Sequence, residues 1–466
     1  MEKEHKRSNF SGTIGFVLAA AGSSVGLGNI WRFPYLAAKD GGGLFLLIYV
    51  ILALTFGFTL LTTEIAIGRK TAQSPLTAYG RIHKSFGWIG VLACVVPAII
   101  LPYYCTIGGW VLKYFFSYAS GSAAEMVADG YFTSFITSQW APIIWFVIFM
   151  MATAIIVYRG VNAGIEKYSR VLMPLLFILI IGISVFSLTL SYTDANGVVR
   201  TGLQGFMVYI IPNFEGLTLQ KFCVVLTDAM GQLFYSISVA MGIMIAYGSY
   251  VKKNANLGHA VNQIEFFDTL VAFLAGMMII PAVYTFMGTE GMSAGPSLMF
   301  VSLPKVFNAM GPVGPIVGIV FFLMVFFAAV TSSVSVMEAV VSSLMDRFHL
   351  KRKKATVAVT VYSMIAGLVV CLGYNIFYME VALPNGSVGQ ILDIMDYISN
   401  SFLMPIVSIA TCIMIGWVVK PDVVIEEVTI SGCKFSRQGL YVVMIRYIAP
   451  LLLFILFLQA LGIIRF

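Results

Sequence analysis

The chain has 466 residues, of which 59% are apolar and only 11% are charged, and its mean hydropathy is +0.92. A soluble globular domain of this length has no place for so many apolar side chains, so the composition excludes that class and predicts a membrane protein. The formal net charge of +7 does not indicate a nucleic-acid partner, because no basic run forms a groove-sized patch interleaved with aromatic residues.

Apolar segments long enough to cross a hydrocarbon core of roughly 30 Å recur along the whole chain. Their spacing predicts an all-α membrane protein with about eleven transmembrane helices in a single domain, 1–466. The predicted spans are 12–36, 42–68, 87–119, 139–158, 165–190, 222–250, 257–288, 313–346, 355–375, 388–417 and 438–463. The first span lacks a small-residue cleavage site, so it belongs to the mature protein and is not a signal peptide.

Lys and Arg residues concentrate in alternate loops. Twenty of them fall in loops on the side of the N-terminus, whereas four (Arg200, Lys221, Lys305 and Arg465) fall on the opposite side. Because basic loops are retained in the cytoplasm, we expect a multi-pass protein of the cell (inner) membrane with its N-terminus inside and its C-terminus outside.

Two spans contain residues that an uninterrupted membrane helix avoids. The first includes GSSVGLGN (22–29), followed by Arg32 and Pro34, and the sixth includes GQLFYSISVAMG (231–242). Non-helical backbone is tolerated at this depth only where it lines a cavity or is buried in protein; close helix packing through glycine is the alternative interpretation. Breaks at matching positions predict a 5+5 inverted repeat (12–190 and 222–417) with an additional helix at 438–463 and a midplane binding site.

Glu64 lies inside the second predicted span, where an ionisable group costs on the order of 2.5 to 3.5 kcal/mol. It has two interpretations, a structural carboxylate bonded to broken backbone and a proton relay, and we favour the first. An enzyme is not expected, because none of the four histidines has a nucleophile or metal-ligand spacing around it. The cysteines show no C-x-x-C pair and read as small packing residues.

The segment GSSVGLGNIWRFP (22–34) resembles the neurotransmitter:sodium symporter family. The likeness continues through GGGLF (41–45), PYY (102–104), GQLFYSIS (231–238), AAVTSS (328–333) and LDIMDY (392–397). The resemblance implies the LeuT-type fold of a bacterial member with eleven helices, in which helices 1 and 6 are unwound at the midplane. It also implies Na⁺-coupled symport of an amino acid into the cell by alternating access.

Two Na⁺ sites are implied by the resemblance, both built from the oxygen ligands that a hard cation prefers. The first would comprise the Ser24 carbonyl with Asn29, Ser236 and Asp268. The second would comprise the carbonyls of Gly22, Val25 and Ala328 with the hydroxyls of Thr331 and Ser332. Hydroxyls in membrane helices ordinarily bond back to the preceding turn, so only the motif assigns Thr331 and Ser332.

Asp268 stands where many relatives carry Asn. Relatives that need chloride use the anion to balance the cation charge, and a carboxylate at this position would supply that charge itself. Tyr49, Gln232 and Ser236 match the family's chloride site, but Ala272 does not complete it. We therefore expect that chloride is not required.

The substrate pocket implied by the resemblance lies between the two breaks. Amides of Leu27 and Gly28 with the Tyr104 hydroxyl would hold a carboxylate, and Gly26 leaves room for it. The remaining contacts would come from residues around the ammonium group and the side chain: Ser23, Ser24, Tyr235, Ser236, Ser238, Ile100, Met241, Ser332 and Val336. The side-chain contacts are mostly apolar, so we expect a neutral hydrophobic or aromatic L-amino acid, although Met241 as simple packing is nearly as good an interpretation.

Two gates follow from the same resemblance. Arg32 with Asp396, backed by Tyr104 and Tyr235, would close the outer side. Arg7 with Asp346, backed by Phe10 and Tyr250, would close the inner side, although ordinary positive-inside topology also accounts for Arg7. The rival functions are a proton-coupled carrier or exchanger on the same fold and a non-transporting amino acid sensor.

Overall fold

Long apolar runs give this chain helices, since only a helix satisfies the backbone of a single segment in lipid. The structure is a computed structural model that describes residues 9–194, 197–288 and 298–465. In chain order the helices are α1 (Thr13–Ser24), α2 (Gly28–Lys39), α3 (Gly43–Thr71), α4 (Pro75–Ile82), α5 (Lys84–Ala119), α6 (Tyr131–Thr137), α7 (Ala141–Tyr158), α8 (Val161–Leu188), α9 (Gly202–Ile210), α10 (Leu219–Ser236), α11 (Ile243–Gly248), α12 (Leu257–Met287), α13 (Ser302–Ala309), α14 (Gly311–Phe348), α15 (Arg352–Leu372), α16 (Ile391–Val418), α17 (Asp422–Thr429) and α18 (Gln438–Ala460).

Two antiparallel hairpins complete the regular structure of the described ranges. They pair β1 (Ser191–Thr193) with β2 (Val199–Thr201) and β3 (Val381–Ala382) with β4 (Val388–Gly389). The first hairpin lies between α8 and α9, and the second lies between α15 and α16. They therefore cap the bundle at one end and contribute nothing to its centre.

Nine helices of the described ranges are long and apolar enough to cross a membrane: α3, α5, α7, α8, α12, α14, α15, α16 and α18. The helices α1 and α2 meet that test only together, and they bend by 55° at the break between them. The predicted span 222–250 consists of α10 and α11, which are separated by residues 237–242. The expected fold of about eleven spans with interruptions in the first and the sixth is thus confirmed.

The broken helices lie at the centre of the bundle. Helix α1 packs against α8, α12 and α14, whereas α10 packs against α3, and α11 packs against α3 and α14. The pair α5 and α14 has the most extensive contact in the described structure. The long continuous helices therefore surround the two breaks and hold them away from lipid.

Segments of π-helix interrupt six helical stretches of the described chain: Gly28–Arg32, Ala53–Gly57, Val161–Glu166, Tyr397–Leu403, Met414–Val418 and Met444–Ile448. Four carbonyls in these segments accept a hydrogen bond from a distant side chain, one of them Arg446 O from Trp417 Nε1 (3.0 Å). Gln232 Nε2 donates to Gly28 O (3.1 Å), Arg437 Nη1 to Leu54 O (2.9 Å) and Arg446 Nε to Gly416 O (3.0 Å). Such π-segments are common at functional sites, and in four of the six a polar side chain from elsewhere in the chain satisfies one backbone carbonyl.

Candidate functional site

The first break spans residues 25–27, between α1 and α2. The Gly26 N–H donates to Ser24 O (2.9 Å). A Cβ atom added at Gly26 would lie 2.9 Å from Ser332 Oγ and 3.1 Å from Tyr104 Oη. The close approach of two side chains to this backbone therefore favours glycine here.

The second break spans residues 237–242, between α10 and α11. Ser238, Ala240 and Gly242 all have left-handed backbones, with φ of 54°, 62° and 67°. That conformation costs roughly 1 to 2 kcal/mol for a residue with a Cβ atom. The buried Glu64 of α3 accepts a hydrogen bond from the Ala240 N–H through Oε1 (2.6 Å), so a carboxylate on another helix holds this break.

A narrow cavity of about 20 Å³ lies between the two breaks. Every residue expected to contact the substrate lines it, and Asn29 joins them: Ser23, Ser24, Gly26, Leu27, Gly28, Asn29, Ile100, Tyr104, Tyr235, Ser236, Ser238, Met241, Ser332 and Val336. These residues come from α1, α2, α5, α10, α14 and the two breaks. The structure thus brings together residues that lie far apart in the sequence, from Ser23 to Val336.

Polar groups around the cavity bond to one another. Tyr104 Oη accepts a hydrogen bond from the Leu27 N–H (3.3 Å), and Ser238 Oγ donates to Ser23 O (3.1 Å). Ser332 Oγ also donates to Ser23 O (3.0 Å). One side of the cavity therefore offers an amide and a phenol, which suit an anion, and another offers carbonyls, which suit a cation.

Asp268 connects the two broken helices. Its Oδ1 accepts hydrogen bonds from Asn29 Nδ2 (2.9 Å) and Ser236 Oγ (2.7 Å), and its Oδ2 accepts one from Tyr49 Oη (3.4 Å). The carboxylate is completely buried, and these three donors are neutral. A buried carboxylate without a cationic partner is costly, so the residues expected for the first Na⁺ site have the charge and the oxygen atoms that such a cation needs.

Residues expected for the second Na⁺ site meet where the end of α1 crosses α14. Ser332 Oγ donates to Gly22 O (3.3 Å) and to Val25 O (3.4 Å). A Cβ atom at Gly22 would lie 3.2 Å from Thr331 Cβ. Thr331 Oγ1 bonds back to Phe327 O and Ala328 O (3.0 Å each), the ordinary behaviour of a hydroxyl in a helix, so its hydroxyl has to turn before it can bind an ion.

The outer gate differs from the expected arrangement. No ion pair joins Arg32 to Asp396 in the described ranges; instead, Asp396 Oδ1 accepts hydrogen bonds from Tyr103 Oη (3.0 Å) and Asn400 Nδ2 (2.5 Å). The Arg32 guanidinium lies beside α10, 3.9 Å from where a Cβ atom of Gly231 would be. Neighbouring helical residues point about 100° apart. The adjacent residues Tyr103 and Tyr104 therefore face different neighbours: Tyr103 lies at the gate residue Asp396 and Tyr104 lines the cavity.

The inner gate is only partly described, because Arg7 lies outside the described residues. Asp346 Oδ2 accepts the Ser74 N–H at the start of α4 (2.6 Å). The Phe10 N–H donates to Tyr250 O (3.2 Å), and the two rings meet edge to face. Phe10 and Tyr250 are therefore in direct contact.

A buried ion pair on the same side has no counterpart in the sequence-based assignment. Arg352 Nη1 and Nη2 donate to the two oxygens of Glu338 (2.6 and 2.8 Å), and Tyr250 Oη donates to Glu338 Oε1 (2.6 Å). The only sequence signal is an acidic residue in an otherwise apolar span, since Arg352 is hidden in a run of basic residues. Because Glu338 is held by this bidentate pair, it in turn holds the Tyr250 hydroxyl in place.

Comparisons with known proteins cover nearly the whole chain. The model of the sodium:neurotransmitter symporter family matches residues 7–125 and 134–465. The uncharacterized sodium-dependent transporter YhdH of Bacillus subtilis (strain 168) is 33% identical over 473 residues, which cover 99% of this chain and 100% of that protein. The human sodium- and chloride-dependent GABA transporter 2 is 26% identical over 430 residues (79% and 69% of the two chains). The crystal structure of MhsT in complex with L-phenylalanine superimposes with a TM-score of 0.84 at 33% identity, covering 97% of this chain and all of the other.

Proposed function

Because this chain belongs to the sodium:neurotransmitter symporter family, we propose that it carries a neutral L-amino acid into the cell together with Na⁺, by alternating access and without chloride. The family is one of sodium-dependent, multi-pass membrane transporters. The single observation that carries the proposal is the cavity between the two breaks, which has anion-binding groups, cation-binding groups and the buried Asp268 around it.

The substrate's charged groups would replace the hydrogen bonds that the cavity now makes within itself. Its carboxylate fits the amides of Leu27 and Gly28 with the Tyr104 hydroxyl, since amides near a helix start attract anions. Its ammonium group fits the carbonyls and hydroxyls of Ser24, Ser236 and Ser238. Two charged ends fixed in this way select an amino acid over a simple amine.

The substrate's side chain would meet an apolar part of the cavity. Ile100, Met241 and Val336 line it and are almost fully buried, and a flexible methionine adapts to different shapes. The MhsT structure contains L-phenylalanine, which supports a hydrophobic or aromatic substrate for a chain 33% identical to it.

The two groups of oxygen ligands support a stoichiometry of two Na⁺ ions per substrate. Two charges moving inward with one zwitterion gain about 4.6 kcal/mol per 100 mV of membrane potential, which sustains roughly a thousandfold accumulation. Asp268 would provide the negative charge that chloride provides elsewhere, and the fully buried Ala272 offers no hydroxyl for the anion. Uptake should therefore be electrogenic and independent of chloride.

Proteoliposomes that contain the purified full-length chain provide the test. Uptake of radiolabelled L-phenylalanine should require Na⁺, fail when choline replaces Na⁺ at constant pH, and remain unchanged when gluconate replaces chloride. Uptake driven by a proton gradient in choline would favour the proton-coupled carrier. Binding without uptake or counterflow would favour the sensor, and strict chloride dependence would contradict the role of Asp268.

A further inference from the structure

Two neighbouring loops form a basic surface on the face of the protein from which α1 begins. The exposed cations of this surface lie in or beside the α7–α8 loop and the α14–α15 loop, and they are Arg159, Lys167, Arg170, Arg347, Lys351, Lys353 and Lys354. The two loops are in contact, because Arg352 Nη1 donates to Val157 O (3.4 Å) and Lys353 Nζ lies 5.3 Å from the ring centre of Tyr158. The charges thus belong to one surface.

Acidic side chains near this surface already have partners inside the protein. Glu166 accepts from Arg170 Nη2 (2.7 Å), Glu338 is paired with Arg352, and Asp346 accepts the Ser74 N–H. No residue from 347 to 354 is acidic. Within the described chain, no ion pair joins the exposed cations of the α14–α15 loop to an acidic side chain, so their charge is available to a partner.

Apolar side chains border the same surface. Phe348, Tyr158 and Val357 are 61%, 42% and 54% exposed, and they lie at the ends of membrane-length helices. In a bilayer such side chains enter the interface while the neighbouring lysines remain at the level of the headgroups. A soluble anion would gain nothing from these apolar neighbours, whereas a phospholipid contacts both groups.

We propose that this surface binds the phosphate groups of anionic phospholipids such as phosphatidylglycerol. Clusters of four or more basic residues directly beside a membrane helix have the charge density that such headgroups attract. Positive-inside topology alone would explain the presence of the cations, but not their concentration around exposed aromatic side chains.

The bound lipid would also act on the inner gate through Arg352. This residue stands between Lys351 and Lys353, yet its guanidinium turns inward to Glu338, which in turn holds the Tyr250 hydroxyl. Lipid phosphates that bind the two flanking lysines fix the start of α15 and thereby keep Arg352 on Glu338. Anionic lipid therefore stabilises the arrangement in which Tyr250 is held beneath the cavity.

A binding titration of the purified full-length chain in detergent micelles tests the proposal. The probe is phosphatidylglycerol with a fluorescent acyl chain, and the variant is Lys351→Gln/Lys353→Gln/Lys354→Gln. Each removed lysine should weaken binding roughly fivefold, so we expect a loss on the order of a hundredfold. The matched control is Arg81→Gln/Lys84→Gln/Lys434→Gln, which removes three exposed cations from the same face and should change affinity less than twofold.

Four outcomes decide the matter. Selective weakening in the test variant, with fluorescent phosphatidylcholine binding weakly to every protein, supports the proposal. Equal affinity in all proteins overturns it, because the cations then serve membrane topology alone. Equal weakening in both variants also overturns it, because the cations then attract the lipid without specificity. Displacement by millimolar inorganic phosphate as effective as that by unlabelled phosphatidylglycerol also overturns it, since the site is then one for a free anion.

Two further measurements do not depend on the triple variant folding. Raising NaCl from about 50 to 500 mM should weaken phosphatidylglycerol binding to the wild-type chain at least tenfold, because salt screens exposed charges; an unchanged affinity contradicts the proposal. Phosphatidylglycerol should raise the unfolding temperature of the wild-type chain but not that of Arg352→Gln. An equal rise in unfolding temperature in both proteins would show that the bound lipid does not act through Arg352.

Discussion

The two interrupted helices reach the same midplane by different means. Residues 25–27 all keep negative φ, and the first break depends on the absence of a side chain at Gly26. The second break alternates left-handed residues at Ser238, Ala240 and Gly242, two of which carry a Cβ atom, and it depends on Glu64 from another helix. The first break is encoded locally in the sequence, whereas the second is imposed by tertiary structure.

The two broken helices are joined at two levels. At the midplane, Asp268 bonds to Asn29 and to Ser236. At the end of α2, Lys39 Nζ bonds to Asp228 Oδ2 of α10 (2.7 Å), with the buried Asp40 next to it. A substitution that disturbs only one break should therefore have a smaller effect on transport than a substitution that breaks the midplane connection between the two helices.

The largest effect is expected for Asp268→Asn, because it removes the charge that both breaks share. Loss of one partner from a buried charged network costs roughly 3 to 5 kcal/mol, so the Na⁺ concentration for half-maximal uptake should rise by at least a hundredfold in chloride-free medium. The second substitution in Asp268→Asn/Ala272→Ser supplies a hydroxyl at the chloride position, and uptake should then recover only when chloride is present. Uptake by Asp268→Asn at the wild-type rate in gluconate would contradict this role.

Next in size is Glu64→Leu, which disturbs the second break alone. It leaves the buried Ala240 N–H unpaired, at a cost of about 1 to 3 kcal/mol, so substrate affinity measured by scintillation proximity should fall roughly tenfold to a hundredfold. Glu64→Gln keeps an acceptor oxygen and should stay within a few-fold of wild type.

Ala240→Gly sharpens the same comparison. Glycine adopts positive φ without strain, so Glu64→Leu/Ala240→Gly should regain part of the lost affinity. A proton relay through Glu64 predicts the opposite pattern, in which Glu64→Gln fails as badly as Glu64→Leu and glycine rescues nothing.

A smaller effect is expected for Gly26→Ala in the first break. The added methyl group would lie 2.9 Å from Ser332 Oγ, so Ser332 has to move and substrate affinity should fall about tenfold. The matched control is Gly182→Ala in α8, where a Cβ atom meets nothing within 4 Å. Equal affinities of these two variants would show that the close approach at Gly26 is not needed.

The smallest effect concerns the outer connection between the two helices. Burial, and next the neighbouring Asp228, raise the pKa of Asp40 to about 7, although Lys39 and Lys221 oppose the shift. A carboxyl whose pKa is raised on folding binds its proton more tightly in the folded state, so stability falls as the pH rises from about 4 to 7.

Asp40→Asn should reduce that fall. The unfolding temperature in detergent, measured at pH 5 and pH 8, should drop by a few degrees for the wild-type chain and by less for the variant. Asp129→Asn, at a fully exposed carboxylate, is the control and should retain the wild-type drop. If the unfolding temperature of the wild-type chain does not drop between the two pH values, Asp40 does not make stability depend on pH.

Much of the fold and of the cavity lining was predictable, because the signals were local. Apolar runs gave the spans, and the family motifs gave the residues that meet around Gly26 and Asp268. Tyr103 was missed because choosing between adjacent tyrosines requires the rotation of α5. A bond from Glu64 to broken backbone was expected, but its partner, the Ala240 N–H, could not be named because a backbone amide has no sequence signature. The ion pair of Glu338 with Arg352 joins two segments whose apposition only the folded chain shows.

The π-helical segment Gly28–Arg32 also determines the direction in which the residues after it point around the axis of α2. A turn that holds more than the usual number of residues rotates everything after it, and one residue corresponds to about 100° around the axis. The direction of the Arg32 guanidinium is therefore set by the number of residues between the break and the arginine. Deleting a single residue from this turn would keep every motif letter but one and still point the arginine away from α10.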